Sequence, residues 1–186
     1  MKKFLISFSL AIIGLSVCAQ EKGDMAVGLN LGVAPSLESG VSVTNFGIGA
    51  KFQYNVTNPI RLEADIDYWF KSKGMDVFDI SVNAHYLFHF ANKITVYPLI
   101  GLGYAHGSGI GQGDPNFEGI DTPWGGISKD EYNDSFKGGT NSFLFNVGAG
   151  AEYTLTNKLS VGVEIKYQYI DHFNRLPITI GATYKF

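Results

Sequence analysis

The stretch Ile60-Arg61-Leu62-Glu63-Ala64-Asp65-Ile66-Asp67-Tyr68-Trp69-Phe70 alternates from end to end without a slip. Ile60, Leu62, Ala64, Ile66, Tyr68 and Phe70 share one parity, and Arg61, Glu63, Asp65, Asp67 and Trp69 share the other. A period of two sends successive side chains to opposite faces of a strand, so one face is wholly apolar and the other carries four charges. A helix would mix the two sets around its circumference.

The same signal recurs on both sides. Met25 to Val33, Phe46 to Tyr54, Phe78 to Phe90, Val96 to Tyr104, Phe143 to Leu155, Val161 to Tyr169 and Ile178 to Phe186 all alternate, making eight strands in all. Three connections are tight turns centred on Asn58, Asn92 and Asn157. Aligned on these residues, position −4 is Tyr54, Phe88 and Tyr153, position −2 is Val56, Phe90 and Leu155, and position +2 is Ile60, Ile94 and Leu159. The other connections are longer: 34–43, 71–76, 106–140 and 170–175. Short turns at one end and longer loops at the other describe an antiparallel up-and-down barrel.

Alternation alone fits a soluble barrel with an apolar interior as well as a membrane barrel with an apolar exterior. Three features choose the second. The less apolar face holds Gly28, Gly32, Gly47, Gly49, Gly101, Gly103, Gly148, Gly150, Gly162 and Gly181. Glycine weakens a water-facing strand, whereas a narrow lumen needs small residues beside its large ones. The apolar face carries Tyr54, Phe88, Phe90 and Tyr153 beside the turns and Tyr68, Phe70, Tyr104, Tyr167 and Tyr169 beside the loops, two aromatic belts that suit the two interfaces of a bilayer. Finally, Ile178, Ile180, Ala182, Tyr184 and Phe186 alternate to the last residue. The fold class expected is therefore all-β, an eight-stranded antiparallel transmembrane barrel.

Composition agrees. Of 186 residues, 17% are charged and 23 are Gly, against about 25% charged and roughly 7% Gly in soluble domains. Lys2 and Lys3, the apolar run Phe4 to Leu15 and the small residue Ala19 form a secretion signal, so residues 1–19 are expected to be removed and 20–186 to form one domain. A lipid-modified Cys18 is the rival reading, and Val17 stands where such signals want a small residue. Removal of Lys2 and Lys3 leaves 12 basic against 17 acidic residues, a balance that argues against nucleic-acid binding.

A terminal Phe behind alternating apolar residues resembles the assembly signal of bacterial outer-membrane barrels. The chain resembles the small OmpX-type proteins and the transmembrane domain of OmpA-type proteins over essentially its whole mature length. The resemblance implies an outer-membrane, porin-like architecture, with outer-membrane lipid, lipopolysaccharide and the barrel-assembly machinery as partners and no cofactor. It leaves function open, because one such fold hosts adhesins, tethers, channels and lipid-modifying enzymes.

Lys51, Arg61, Glu63, Asp65, Asp67, Glu152, Glu164, Lys166 and Lys185 fall on the interior parity. Charges of both signs in a narrow lumen must pair, and the Asn58 turn sets Lys51 opposite Asp65. A structural network filling the barrel is the reading preferred over a gated ion path, since eight strands leave room for little but side chains. His85 and His89 share this parity but stand about 13 Å apart along a strand, too far to share a metal. Asp171, His172 and Asn174 are similar to the His and Asn of barrel-borne lipid A deacylases, yet Phe173 and Arg175 stand where a Ser is needed. The long loop holds Asp114, Glu118, Asp121, Asp130, Glu131 and Asp134 against Lys129 and Lys137, with Phe117, Trp124 and Tyr132, and is the candidate surface for an extracellular ligand. A non-enzymatic role in surface recognition, adhesion or envelope integrity is the function expected, ahead of a passive channel or a lipid A-modifying enzyme.

Because short turns lie on the periplasmic side in such barrels, protease added to intact cells should cut within 115–135 and spare Asn92 until the cells are lysed. Cutting at Asn92 in intact cells would invert the topology.

Overall fold

The computed structural model describes residues 22–37, 43–72, 75–90, 93–108, 140–171 and 173–186. The expected signal segment 1–19 lies outside them, as do Asn92, His172 and the centre of the long loop, 109–139. Ten segments are present: β1 (Met25–Pro35), β2 (Thr44–Asn55), β3 (Ile60–Ser72), β4 (Met75–Tyr86), β5 (Phe88–Phe90), β6 (Ile94–Ser108), β7 (Thr140–Thr154), β8 (Leu159–Ile170), β9 (Phe173–Arg175) and β10 (Ile178–Lys185).

They amount to eight strands, because β4 runs on into β5 and β9 into β10. Both breaks sit beside proline. The β4–β6 ladder ends at His85↔Leu99 and resumes in β5 at Phe88↔Val96. The gap lies opposite Tyr97 and Pro98, and Pro98 has no N–H to give; the Leu87 N–H donates to the Pro59 carbonyl at 2.7 Å. Pro177 separates β9 from β10, and its carbonyl accepts from the Lys166 N–H at 2.9 Å, which keeps the eighth strand against β8.

Every neighbouring pair is antiparallel, and the sheet closes on itself: β10 pairs with β8 on one side and with β1 on the other. The closing register runs from Ala26↔Lys185 to Val33↔Ile178. Phe186 belongs to this seam, its N–H donating to the Met25 carbonyl at 3.1 Å. The main strands have 11 to 15 residues except for β10 with 8, enough to cross a bilayer at the usual tilt.

The apolar parity faces outward. Its large residues, from Tyr54 at 36% to Leu29 at 69%, are exposed on the outer wall, an arrangement suited to hydrocarbon and costly in water. The outward set includes Ile178, Ile180, Tyr184 and Phe186 of the C-terminal strand. Glycines of the inner parity make room for the largest inner side chains. Gly47 pairs with Trp69 and Gly49 with Asp67; a Cβ at either glycine would collide with that partner's side chain.

Ile100, outward and midway along β6, and inward Gly101 supply a test of this orientation. Ile100→Lys should destabilise the barrel in vesicles by about 2–4 kcal/mol if the site lies near the midplane, read from urea unfolding. Gly101→Lys should act by another route, since its Cβ would collide with Asn83. Equal tolerance of Ile100→Lys and Ile100→Val would refute an outward apolar face.

Candidate functional site: the charged lumen

The inner faces of eight strands converge on a column of polar side chains. Arg61 of β3 is fully buried and lies near the turn end. Its Nη1 donates to Glu152 Oε2 on β7 at 2.9 Å and to Gln53 Oε1 at 3.3 Å. The guanidinium carbon stands 4.8 Å from the Tyr97 ring centroid, and Nε reaches His85 Nδ1 at 3.3 Å. Tyr97 stacks on His85 with ring centroids 4.6 Å apart and donates its hydroxyl to Glu164 Oε2 at 3.0 Å.

Above this cluster Lys166 bridges Asp65 Oδ2 and Glu164 Oε1, each at 3.1 Å. Asn83 donates to Asp65 Oδ2 at 2.8 Å, and Asn146 donates to Asn83 Oδ1 at 2.9 Å. Lys51 is opposite Asp65 in register, yet its ammonium lies 3.4 Å from Glu63 Oε2, which also accepts from Gln53 Nε2 at 2.6 Å. The backbone pairing therefore matches the expected one, and the ionic partner is the diagonal neighbour, because Lys166 has reached Asp65 from across the lumen. Asp67 accepts from Asn30 at 2.8 Å. Lys185 sits at the turn-end mouth, partly exposed, 3.0 Å from Asp24.

A third cluster lies toward the loops. Asp79 Oδ2 accepts from Trp69 Nε1 at 2.9 Å and from Arg175 Nη2. Arg175 Nε donates to Gln168 Oε1 at 2.6 Å, and its guanidinium stacks over Trp69 at 4.9 Å. The sequence pattern puts Arg175 at the end of the last loop, 170–175. The structure places it in β9, fully buried; the missed signal was parity, since Arg175, Thr179, Gly181, Thr183 and Lys185 form one inward series across Pro177. Ala34, Trp69, Val77, Ala105, Leu144 and Ile170 then form a buried apolar layer at the loop end.

Glu63, His85 and Glu164 bring ligand-type atoms within 4.8 Å of one another, a grouping the His85/His89 spacing did not anticipate. Arginine can only donate, so Nδ1 of His85 accepts from Arg61 and the ring proton of the neutral imidazole sits on Nε2. Nε2, 3.6 Å from Glu63 Oε1, then has no lone pair for a metal, and Lys51 and Lys166 already hold the carboxylates. Asp171, after β8, is exposed, and Asn174, in β9, is half-buried. The family model for the outer membrane protein beta-barrel domain matches residues 5–186.

The chain belongs to the outer membrane protein beta-barrel domain family. Its members lodge in the outer membrane, and that is where this barrel resides. Among solved structures, it is similar to Neisserial surface protein A, with a TM-score of 0.65 at 16% identity over 87% of this chain and 97% of the other. It is also similar to Ail, the attachment invasion locus protein of Yersinia pestis (TM-score 0.55, 15% identity, 89% and 99% covered). The outer membrane enzyme PagL aligns with a TM-score of 0.50 at 17% identity over 84% of this chain and 97% of its own. At these identities the likeness speaks for the fold alone, which carries enzymes and non-enzymes alike. No curated protein matches this barrel by sequence.

Removing Lys166 should be costly, because Asp65 and Glu164 would be left buried without their shared cation. Lys166→Met should lose about 3–5 kcal/mol of unfolding free energy, and Lys166→Met/Asp65→Asn should recover part of it. A neutral single variant would show that the lumen is wetter than its burial implies.

Proposed function

We propose that this barrel works from its cell-surface end, in recognition, adhesion or envelope integrity, and that the barrel itself is a sealed, non-catalytic support. The observation that carries this reading is the filled lumen. Arg61, Glu63, Asp65, Asp79, His85, Lys166 and Arg175 are each no more than 2% exposed. Among the described residues two cavities on the inner side are small, about 30 Å³ at the turn-end mouth and about 10 Å³ beside Lys51, Tyr97 and Glu164. The second is the size of roughly one water molecule. An ion entering from either end would have to displace paired charges, and from the loop end it would also have to cross the apolar layer around Leu144 and Trp69.

Catalysis is disfavoured by the residues at hand. Beside His172 the sequence supplies Phe173 and Arg175, and Arg175 is engaged by Asp79 and Gln168. The surface best suited to a ligand is 109–139, with its acidic excess and its aromatics Phe117, Trp124 and Tyr132; long connections in compact barrels are often functional. Outer-membrane lipid and lipopolysaccharide surround the wall in this reading, the barrel-assembly machinery inserts it, and residues 1–19 direct its export.

Excision of 113–137 tests the proposal in cells expressing the protein. Binding to a panel of glycan and matrix surfaces should be lost while the barrel still folds, because its strands pair with one another and not through that segment. Planar bilayers should show no steady conductance with either form. Retained binding without the segment would overturn recognition through it, conductance would favour a channel, and loss of a lipid A modification on His172→Ala would favour an enzyme.

A further inference from the structure

The outer wall is not uniformly convex. On the side built by β6, β7, β8, β10, β1 and β2, the small outward residues Ala151 and Ala182 form the floor of an open groove. Leu29, Tyr153, Val163 and Ile180 stand around it. The groove holds about 860 Å³, within the range of small-molecule sites. Its depth comes from the sequence, since alanines occupy lipid-face positions whose neighbours are leucine, isoleucine and tyrosine. Leu29 pairs directly with Ala182 and Leu31 with Ile180, so the floor and the wall alternate across the closing seam.

The turn end of this groove is basic. Lys93 stands directly before β6, and its ammonium lies over the outward ring of Tyr153, 6.0 Å from the centroid. Lys158 follows Asn157 in the next turn, its ammonium 5.7 Å from the ring centroid of Tyr184. Backbone bonds tie both lysines to strands that line the groove: the Lys93 carbonyl accepts from the Thr154 N–H of β7 at 2.8 Å, and the Lys158 carbonyl from the Lys185 N–H of β10 at 2.7 Å. Both rings face outward, and Lys158 also lines the turn-end mouth, so the two ammoniums stand on the rim of the barrel at the membrane interface. Lysine stems lie along apolar surface and hold their charge at the headgroup level, and a ring beneath each ammonium limits where it can go.

The geometry points to a phospholipid site on the outer wall: an acyl chain in the Ala151/Ala182 groove and an anionic headgroup phosphate on Lys93 and Lys158. Two independent features meet there, an apolar groove on the outer wall and, on the turn side of the same strands, a pair of cations held over the rings of Tyr153 and Tyr184. Short turns face the periplasm in this family, so the lipid belongs to the inner leaflet. A second copy of the barrel would have to bring two rows of lysines together at that same edge, which charge repulsion opposes.

Full-length folded protein in bilayers of phosphatidylcholine with a minor fraction of phosphatidylglycerol provides the test. Native mass spectrometry of the released protein reports which lipids stay bound. The wild type should retain phosphatidylglycerol above its bulk fraction, by about fivefold for each ammonium near an anionic headgroup. Lys93→Gln/Lys158→Gln should return it to the bulk fraction, and Lys93→Arg/Lys158→Arg should keep the enrichment. Ala182→Phe, which fills the groove floor, should lower the number of retained lipids of both classes, with circular dichroism confirming a folded barrel. Retention at the bulk ratio by the wild type, or enrichment that survives the Gln pair, would overturn the headgroup assignment. An unchanged lipid count in Ala182→Phe, or a dimer that retains no lipid, would overturn the acyl groove.

Discussion

The closing ladder between β1 and β10 is the constraint on which the rest depends. In hydrocarbon an unpaired backbone N–H or C=O has no water to turn to, so a spanning sheet must have no edge. Ala26↔Lys185 through Val33↔Ile178 removes the two edges that an eight-strand meander would otherwise leave. Once the sheet is closed at eight strands, its bore is fixed at a width that side chains nearly fill. The outer face must then be apolar and the inner face must satisfy itself.

Self-satisfaction explains the kind of interior found here. Buried ion pairs gain little over apolar packing, and breaking one leaves a charge stranded. The charges are therefore linked in chains and not left as isolated pairs: Glu152 to Arg61 to His85, Tyr97 to Glu164 to Lys166 to Asp65, and Gln168 to Arg175 to Asp79. Each chain links strands far apart around the barrel, so the network braces the wall across its bore while the ladders hold it along its circumference.

Much of this was legible in residue order, because a strand's period of two and a barrel's single inside make parity equivalent to location. The run Arg61, Glu63, Asp65, Asp67, Trp69 needed no structure to be placed on one face, and the glycines told which face that was. What parity cannot give is the partner. The Asn58 turn sets Lys51 opposite Asp65, as the ladder does, but ion pairs in a tube form diagonally and across the bore, and Lys166 stands 101 positions from Asp65 in sequence. Arg175 was missed for a different reason: Pro177 breaks the eighth strand, and a polar stretch beside a break reads as a loop when it is in fact the strand's own inward series.

The filled interior also limits where function can sit. A barrel that uses its lumen for its own stability has left the loop end, the lipid-facing wall and the turn-end rim. The apolar layer of Ala34, Trp69, Val77, Ala105, Leu144 and Ile170 stands between the loops and the charged column, so a ligand held by the loops would meet a dry floor. The charges beneath it could respond only if that layer moved, and Trp69 is pinned at its indole nitrogen by Asp79 and on its face by Arg175. Tyr97 against Gly150 packs the turn-side half of the column in the same way, since a Cβ on Gly150 would meet the phenol ring. Two aromatic residues of the column thus sit against a registered glycine, Trp69 against Gly47 and Tyr97 against Gly150, and the network that keeps the barrel upright is packed around them.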